Sequence, residues 1–440
     1  TLIKGAPEKI LSRCKYYFDE NGNRQKYENS SLVDEQIDKL AGRAIRVLAL
    51  AVSDDELGEE KLPDGDWSLV GIIGIRDEVR PESVTAINEV QNAGVQVVMI
   101  TGDRQDTAMA IAKEAGLLKS ETDIILTSDE LANLSDDEIK SKLKDIRVVA
   151  RALPSDKSRL VKLAQELNLV VGMTGDGVND SPALKKADVG FAMGGGTEVA
   201  KEASDIVIMD DNFNSIDKAI LYGRTIFNSI RKFIIFQLTI NVSAVLVSFA
   251  APLLGMAHPL SIIQILWINL VMDTLAALAF GGEPALKRFM EEKPKRREES
   301  IVTPSMWSSI LTVSLWVFAL SMFILLTPFA DNVFRADANN SYLLTGYFTF
   351  FIFAAAFNAF NARTDKFNLF DQIGKNKGFL QIILLIVLIQ IVMTNFGGTI
   401  LRCYGLTINE WIFVLLLAFT VIPIDLIRKA IFKKAVNSKN

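Results

Sequence analysis

The chain has 440 residues, half of them hydrophobic and 22% charged, with 47 Lys and Arg set against 52 Asp and Glu. That is too long for one core and too apolar for an ordinary soluble protein, so a soluble part and a membrane part are expected in one polypeptide. A net charge of -5 without a clustered basic patch in the first half excludes a nucleic-acid binder, and two distant cysteines, Cys14 and Cys403, exclude a disulfide framework or a cysteine metal motif.

The first residues are polar and begin at Thr1, with no pattern of a cleavable signal peptide. The expectation is a stretch taken from something longer, with a reducing, cytoplasmic face. Lys4-Gly5-Ala6-Pro7-Glu8 is followed by a polar link and then by Arg43-Ala44-Ile45-Arg46-Val47-Leu48-Ala49, a segment that looks too short to be a full domain. From about Leu69, short apolar runs alternate with amphipathic helices, which predicts a parallel sheet covered on both faces. Strands are expected over 69–75, 95–100, 146–150, 169–173, 189–193 and 206–209, and helices over 81–93, 104–115 and 155–167. The first of these helices opens with Pro81 in its first turn. This is the pattern of a doubly wound α/β domain.

Function in such sheets collects at the carboxyl ends of strands. Two strands here end alike, in Thr101-Gly102-Asp103 and in Thr174-Gly175-Asp176, and the second continues Gly177-Val178-Asn179-Asp180-Ser181-Pro182. Glycine lets backbone amides approach an anion, threonine donates a hydroxyl to a phosphoryl oxygen, and aspartate can hold magnesium. A lone Thr-Gly-Asp is also ordinary turn chemistry, whereas the longer run from Thr174 to Pro182 is specific. Lys157, early in the helix after Arg151-Ala152-Leu153-Pro154, either stabilises a transferring phosphoryl group or is a solvated surface lysine.

Six apolar stretches follow, at about 226–254, 259–280, 306–330, 343–360, 379–396 and 411–427, each near the length that crosses a bilayer. Lys and Arg crowd the second link (Lys287, Arg288, Lys293, Lys295, Arg296, Arg297), the fourth (Arg363, Lys366, Lys375, Lys377) and the tail (Arg428, Lys429, Lys433, Lys434). The alternate links hold only Arg335 and Arg402, so both ends of the chain are expected on the cytoplasmic side. Within the second stretch, Asp273 lies mid-span with Asn269 four residues earlier on the same helical face. One carboxylate and one amide oxygen suit a hard cation such as calcium; an interhelical hydrogen bond is the alternative. Asn241 in the first stretch is a weaker candidate, equally compatible with helix packing. Asp425, beside Arg428, reads as a structural residue that snorkels to water.

These motifs together resemble the P-type ATPases, and among them the calcium pumps of plasma-membrane type. Lys4 to Glu8 is similar to the family's nucleotide-domain motif, Asp77 to Arg80 to its hinge, Thr101 to Asp103 to its first phosphate motif, and Thr174 to Pro182 to its magnesium signature. The resemblance implies a haloacid-dehalogenase-like phosphorylation domain over 77–222, a nucleotide-domain fragment over 1–76, six transmembrane helices over 223–430 and a tail over 431–440. It implies that Lys4 and Arg46 line an ATP pocket, and that Thr101, Gly102, Asp103, Arg151 and Lys157 surround phosphate. Asp176 would hold magnesium with Asn179 and Asp180 beside it, and Asn269 and Asp273 would hold calcium, in a multi-pass protein of the plasma membrane.

The departures matter equally. The family's phosphorylated aspartate sits in Asp-Lys-Thr-Gly; Asp38, Asp156, Asp217 and Asp365 precede lysine here but continue differently. An upstream half with the actuator domain, four further spans and that aspartate is therefore the implied partner, besides the lipid bilayer. Two-site pumps carry acidic ligands where this chain has Ala244 and Ala355, so one ion per ATP is expected, in keeping with Phe236-Gln237-Leu238-Thr239 and Asn361-Ala362-Arg363. Rival readings are a membrane-anchored haloacid-dehalogenase-type phosphatase and an inactive fragment serving as an assembly partner.

Overall fold

A computed structural model of the protein describes residues 1–27, 31–42, 45–54, 66–75, 78–256 and 258–437. Asp77, at the start of the expected hinge, together with Arg43, Ala44 and the side chain of Arg46, lies outside the description. The chain divides into two compact units, one of Thr1–Ile220 with Met290–Glu299, the other of Leu221–Phe289 with Ser300–Asn440.

The first unit begins with β1 (Leu2–Gly5), β2 (Cys14–Phe18), β3 (Arg24–Lys26), β4 (Arg46–Ser53) and β5 (Trp67–Ile75), in the spatial order β1-β4-β5-β2-β3. Ala49 and Ala51 alternate inward on β4 beside Trp67 and Leu69, and together with Ile3 and Ile10 they make a separate small core. The run 69–75 therefore does not open the parallel sheet: it pairs antiparallel with β4 and parallel with β2. An apolar run announces a strand but not its partner, and here the neighbours are supplied by the segment before it.

Six parallel strands follow, β6 (Met99–Ile100), β7 (Ile124–Thr127), β8 (Ile146–Ala150), β9 (Gly172–Gly175), β10 (Val189–Met193) and β11 (Ile206–Ile208). They form two ladders, ordered β6-β8-β7 and β11-β10-β9. Helices Pro81–Asn92, Gln105–Glu114 and Pro154–Glu166 connect or flank them, and Val148, Val149 and Ala150 of β8 are wholly buried, as a strand covered on both faces should be. β8 and β10 fall where the sequence places them. β6 is shorter than 95–100, β9 starts three residues later than expected, and β7 has no counterpart among the expected strands.

Among the described residues, six helices are long and apolar enough to cross a membrane, as expected: Phe213–Leu253, Ile262–Gly281, Pro304–Leu326, Ser341–Arg363, Lys377–Phe396 and Ile408–Phe432. The first of them begins within the preceding unit. The last is interrupted at Thr420, three residues before Pro423, which has no N–H to continue the helical ladder. The fourth is the central one, with 83% of its apolar stretch buried against at most 44% for the others. The second contains a π-turn, Trp267–Met272, immediately before Asp273.

Asp425 does not snorkel. It is fully buried, with Arg428 Nε at 2.6 Å and Lys429 Nζ at 3.0 Å, and it accepts a hydrogen bond from Ser309 Oγ of the third span. Position near a helix end suggests water, but the neighbouring spans cover this residue and the two basic side chains neutralise it.

Candidate phosphate and cation sites

At the end of β6, Thr101 continues the ladder by donating its N–H to the Val149 carbonyl. Its hydroxyl donates to Asp103 Oδ2 at 3.0 Å and accepts from the Asp103 N–H at 3.1 Å, closing the Thr-Gly-Asp loop on itself. The loop is stitched to the end of β8 by two further bonds, Arg151 N–H to the Asp103 carbonyl and Ala152 N–H to the Thr101 carbonyl, each 2.9 Å. Arg151 takes a left-handed conformation, φ 51°, to do this, a geometry that disfavours any residue with a Cβ. Its guanidinium is exposed and pairs with Glu8 Oε1 at 3.0 Å.

The second motif is built around Asp180. This buried carboxylate takes Lys157 Nζ on Oδ1 at 2.5 Å and the N–H groups of Asp176 and Gly177 on Oδ2, both at 3.2 Å. A Cβ placed on Gly175 would overlap Asp180, so only glycine lets the strand end approach so closely. Lys157 rides on Pro154–Glu166, whose start follows Arg151 and Ala152. One connected path of hydrogen bonds and helix thus joins the first Thr-Gly-Asp loop to the second. Asp156 fixes that helix start, accepting from Leu153 N–H at 2.8 Å and from Ser128 Oγ at 2.6 Å.

The remaining candidates are placed differently. Thr174, Asp176 and Asn179 are exposed at the loop, and Asp176 leaves its carboxylate outward while its carbonyl accepts the Thr197 N–H at 2.8 Å. Magnesium keeps several waters and takes one or two carboxylates beside phosphate oxygens, a modest demand that the outward Asp176 meets; Asp180 is already occupied by Lys157 and two amides. Lys4 is exposed on β1, which pairs with the β4 strand that Arg46 opens. Glu8 is the neighbour that sequence reasoning passed over, although it closes the Lys4 to Glu8 motif.

In the membrane unit, Asp273 is 6% exposed. Its Oδ2 accepts from Gln237 Nε2 at 3.3 Å, and among the described residues its buried Oδ1 has no hydrogen-bond partner. Asn269 is exposed, in contrast to Asp273, and Asn241 is half-buried on the first span. Among the described residues no group of three or more acidic, His or Cys side chains forms a metal cluster. Gln237 is legible in the sequence only as part of a motif, since a polar residue in an apolar helix does not name the residue it faces.

Residues 257–431 match the family described as cation transporting ATPase, C-terminus, and residues 4–188 match haloacid dehalogenase-like hydrolase. The chain is 39% identical over 404 residues to calcium-transporting ATPase 12, plasma membrane-type, of Arabidopsis thaliana, covering 89% of the chain and 38% of that relative. Against calcium-transporting ATPase 1, plasma membrane-type, of Oryza sativa subsp. japonica it is 37% identical over 435 residues, covering 98% and 42%. Against calcium-transporting ATPase PAT1 of Dictyostelium discoideum it is 36% identical over 472 residues, again covering 98% and 42%. The chain thus spans about two fifths of the length of the curated relatives it matches. A haloacid-dehalogenase-like unit with parallel ladders, followed by six membrane-competent helices of the cation-transporter kind, makes the conclusion plain: the chain belongs to the P-type cation-transporting ATPases and is a multi-pass membrane protein.

Proposed function

We propose that the chain supplies the phosphoryl-transfer unit and the larger part of the membrane unit of an ATP-driven calcium pump. The reading assigns residues 1–76 to a nucleotide-domain fragment, 77–222 to the phosphorylation domain, 223–430 to the membrane domain and 431–440 to a cytoplasmic tail. Lys157, Thr101, Asp180 and Asp176 serve phosphoryl transfer; Lys4, Arg46, Gly102, Asp103, Arg151 and Asn179 serve nucleotide and phosphate binding. Magnesium, held by Asp176, would offset charge on phosphate oxygens when bound. The chain's own contribution is a fixed ammonium: Asp180 anchors Lys157, so its positive charge is in place before the phosphoryl group arrives.

The observation that carries the proposal is the coexistence in one polypeptide of this anchored lysine and of a membrane carboxylate, Asp273, with one buried oxygen left unpartnered. Asp273 with Asn269 binds calcium, and Asn241 contributes more weakly. Where further acidic ligands would stand, Ala244 and Ala355 carry no side-chain oxygen, which supports one ion per ATP. The rest of the pump, including the phosphorylated aspartate, is the partner. The basic links support both chain ends lying in the cytoplasm, and the plasma-membrane-type relatives support the plasma membrane as the location.

In the full-length protein, Asp273→Asn is expected to abolish calcium-dependent phosphorylation by ATP. Persistence of that phosphorylation with unchanged calcium affinity would overturn the assignment. A phosphatase of the same fold would instead hydrolyse phosphate esters without regard to calcium.

A further inference from the structure

Among the described residues of the second unit, four acidic side chains are all but removed from solvent: Asp273, Glu283, Glu410 and Asp425. Three are neutralised by basic neighbours. Glu283 meets Lys232 and Arg363, each at 2.8 Å; Glu410 meets Arg335 at 3.1 Å; Asp425 meets Arg428 and Lys429. Asp273 differs. Among the described residues its hydrogen-bond donor is the neutral amide of Gln237, and no basic side chain pairs with it.

The distinction is chemical. A buried carboxylate paired with lysine or arginine has its charge cancelled. A carboxamide donates a hydrogen bond and fixes the orientation of the carboxylate, yet leaves its full negative charge for another cation. A carboxylate only accepts, so the amide nitrogen of Gln237 must face Asp273 Oδ2. That leaves Oδ1 buried and, among the described residues, without a hydrogen-bond donor, so it is the oxygen still able to take a ligand. The π-turn Trp267–Met272 directly before Asp273 marks the same spot, since such turns recur at functional sites.

We infer that Gln237 is a positioning residue of the cation site: it holds Asp273 by Oδ2 and, being neutral, reserves the charge of that carboxylate for the transported ion. The inference rests on the pump reading above and adds to it a residue on the first span whose neutrality is the functional property.

The test uses the full-length protein in membrane vesicles with free calcium set by a chelator, and it compares Gln237→Met, Gln237→Lys and Asp273→Asn. Gln237→Met keeps the length of the side chain but cannot donate; it is expected to raise the calcium concentration for half-maximal phosphorylation by about tenfold, more than it lowers the maximal level. Gln237→Lys places a tethered ammonium against Asp273 and is expected to remove calcium activation while binding of a fluorescent ATP analogue is retained. If both Gln237 variants respond to calcium as the parent does while Asp273→Asn does not, the role of Gln237 is refuted and the pump reading stands. If Asp273→Asn also responds normally, the reading itself fails. Loss of ATP-analogue binding in both Gln237 variants would mark a structural role and equally overturn the inference.

Discussion

Asp180 in the haloacid-dehalogenase-like unit and Asp273 in the membrane unit are both buried carboxylates, and the two units partner them in opposite ways. Asp180 is saturated, with an ammonium on one oxygen and two backbone amides on the other. Asp273 is left short by one partner. In the first unit the acid is a fixture that orients a cation belonging to the protein; in the second, on the proposed reading, it is the charge that a visiting cation can use. Sequence alone gives both as aspartates near motifs. Their partners separate them.

Both kinds of acid respond to a change of partner. The largest effect is expected where a buried acid has been neutralised for structure. Replacing both Lys232 and Arg363 by Met would strand Glu283, whose side chain is 4% exposed, and should destabilise the membrane unit by roughly 3–5 kcal/mol, read as thermal unfolding in detergent. Survival of that variant at parental stability would mean that Glu283 resembles Asp273 more than Asp425. Next comes Asp180→Asn, which presents an NH2 group either to the Lys157 ammonium or to the two backbone donors. The rate of phosphorylation in the full-length protein should fall about 10²–10³-fold with calcium affinity unaltered.

Smaller effects sharpen the contrast. Gly175→Ala would push Asp180 aside and is expected to cost about 1–3 kcal/mol of stability in the phosphate unit, measured by denaturant unfolding. Smallest is Glu8→Gln, which removes the exposed pair with Arg151 and should shift stability by less than about 1 kcal/mol. Its acidity adds a pH signature. Burial raises the Glu8 pKa, but its backbone hydrogen bond and Arg151 outweigh that and hold it below the usual value. The small gain from the pair is therefore present above the ordinary glutamate pKa and fades as pH falls through the depressed one; a gain on acidification would contradict the pairing.

Strand and helix positions are legible where burial alone decides them. Val148, Val149 and Ala150 make β8 an unbroken apolar run, and the sequence marks its ends. Ile124–Thr127 is as apolar, yet it is only four residues long and is set among Glu121, Thr122, Asp123, Ser128 and Asp129, so the polar flanks hide it. Leu69 and its followers read as a strand in the sequence but belong to a different sheet from the one expected, because partner choice is tertiary. The candidate site divides in the same manner. Thr101, Lys157, Asp176, Asp180 and Asp273 stand out by motif or by charge in apolar surroundings, whereas Gln237 and Glu8 become visible only through what they touch. Asp425 misleads because distance along a helix does not measure depth beneath other helices.

The Glu283 cluster has a mechanical corollary. Lys232 of the first span, Arg363 at the end of the fourth and Asn376, which caps the fifth, all converge on this one carboxylate just past the second span. Helices bound together at one end can splay only at the other, so their common knot acts as a fulcrum. Asp273 sits ten residues up the lever, about 15 Å at the rise of a helix. A tilt of roughly ten degrees about the knot would swing its carboxylate some 2–3 Å, on the order of a metal–oxygen bond length, while the knot itself stays still.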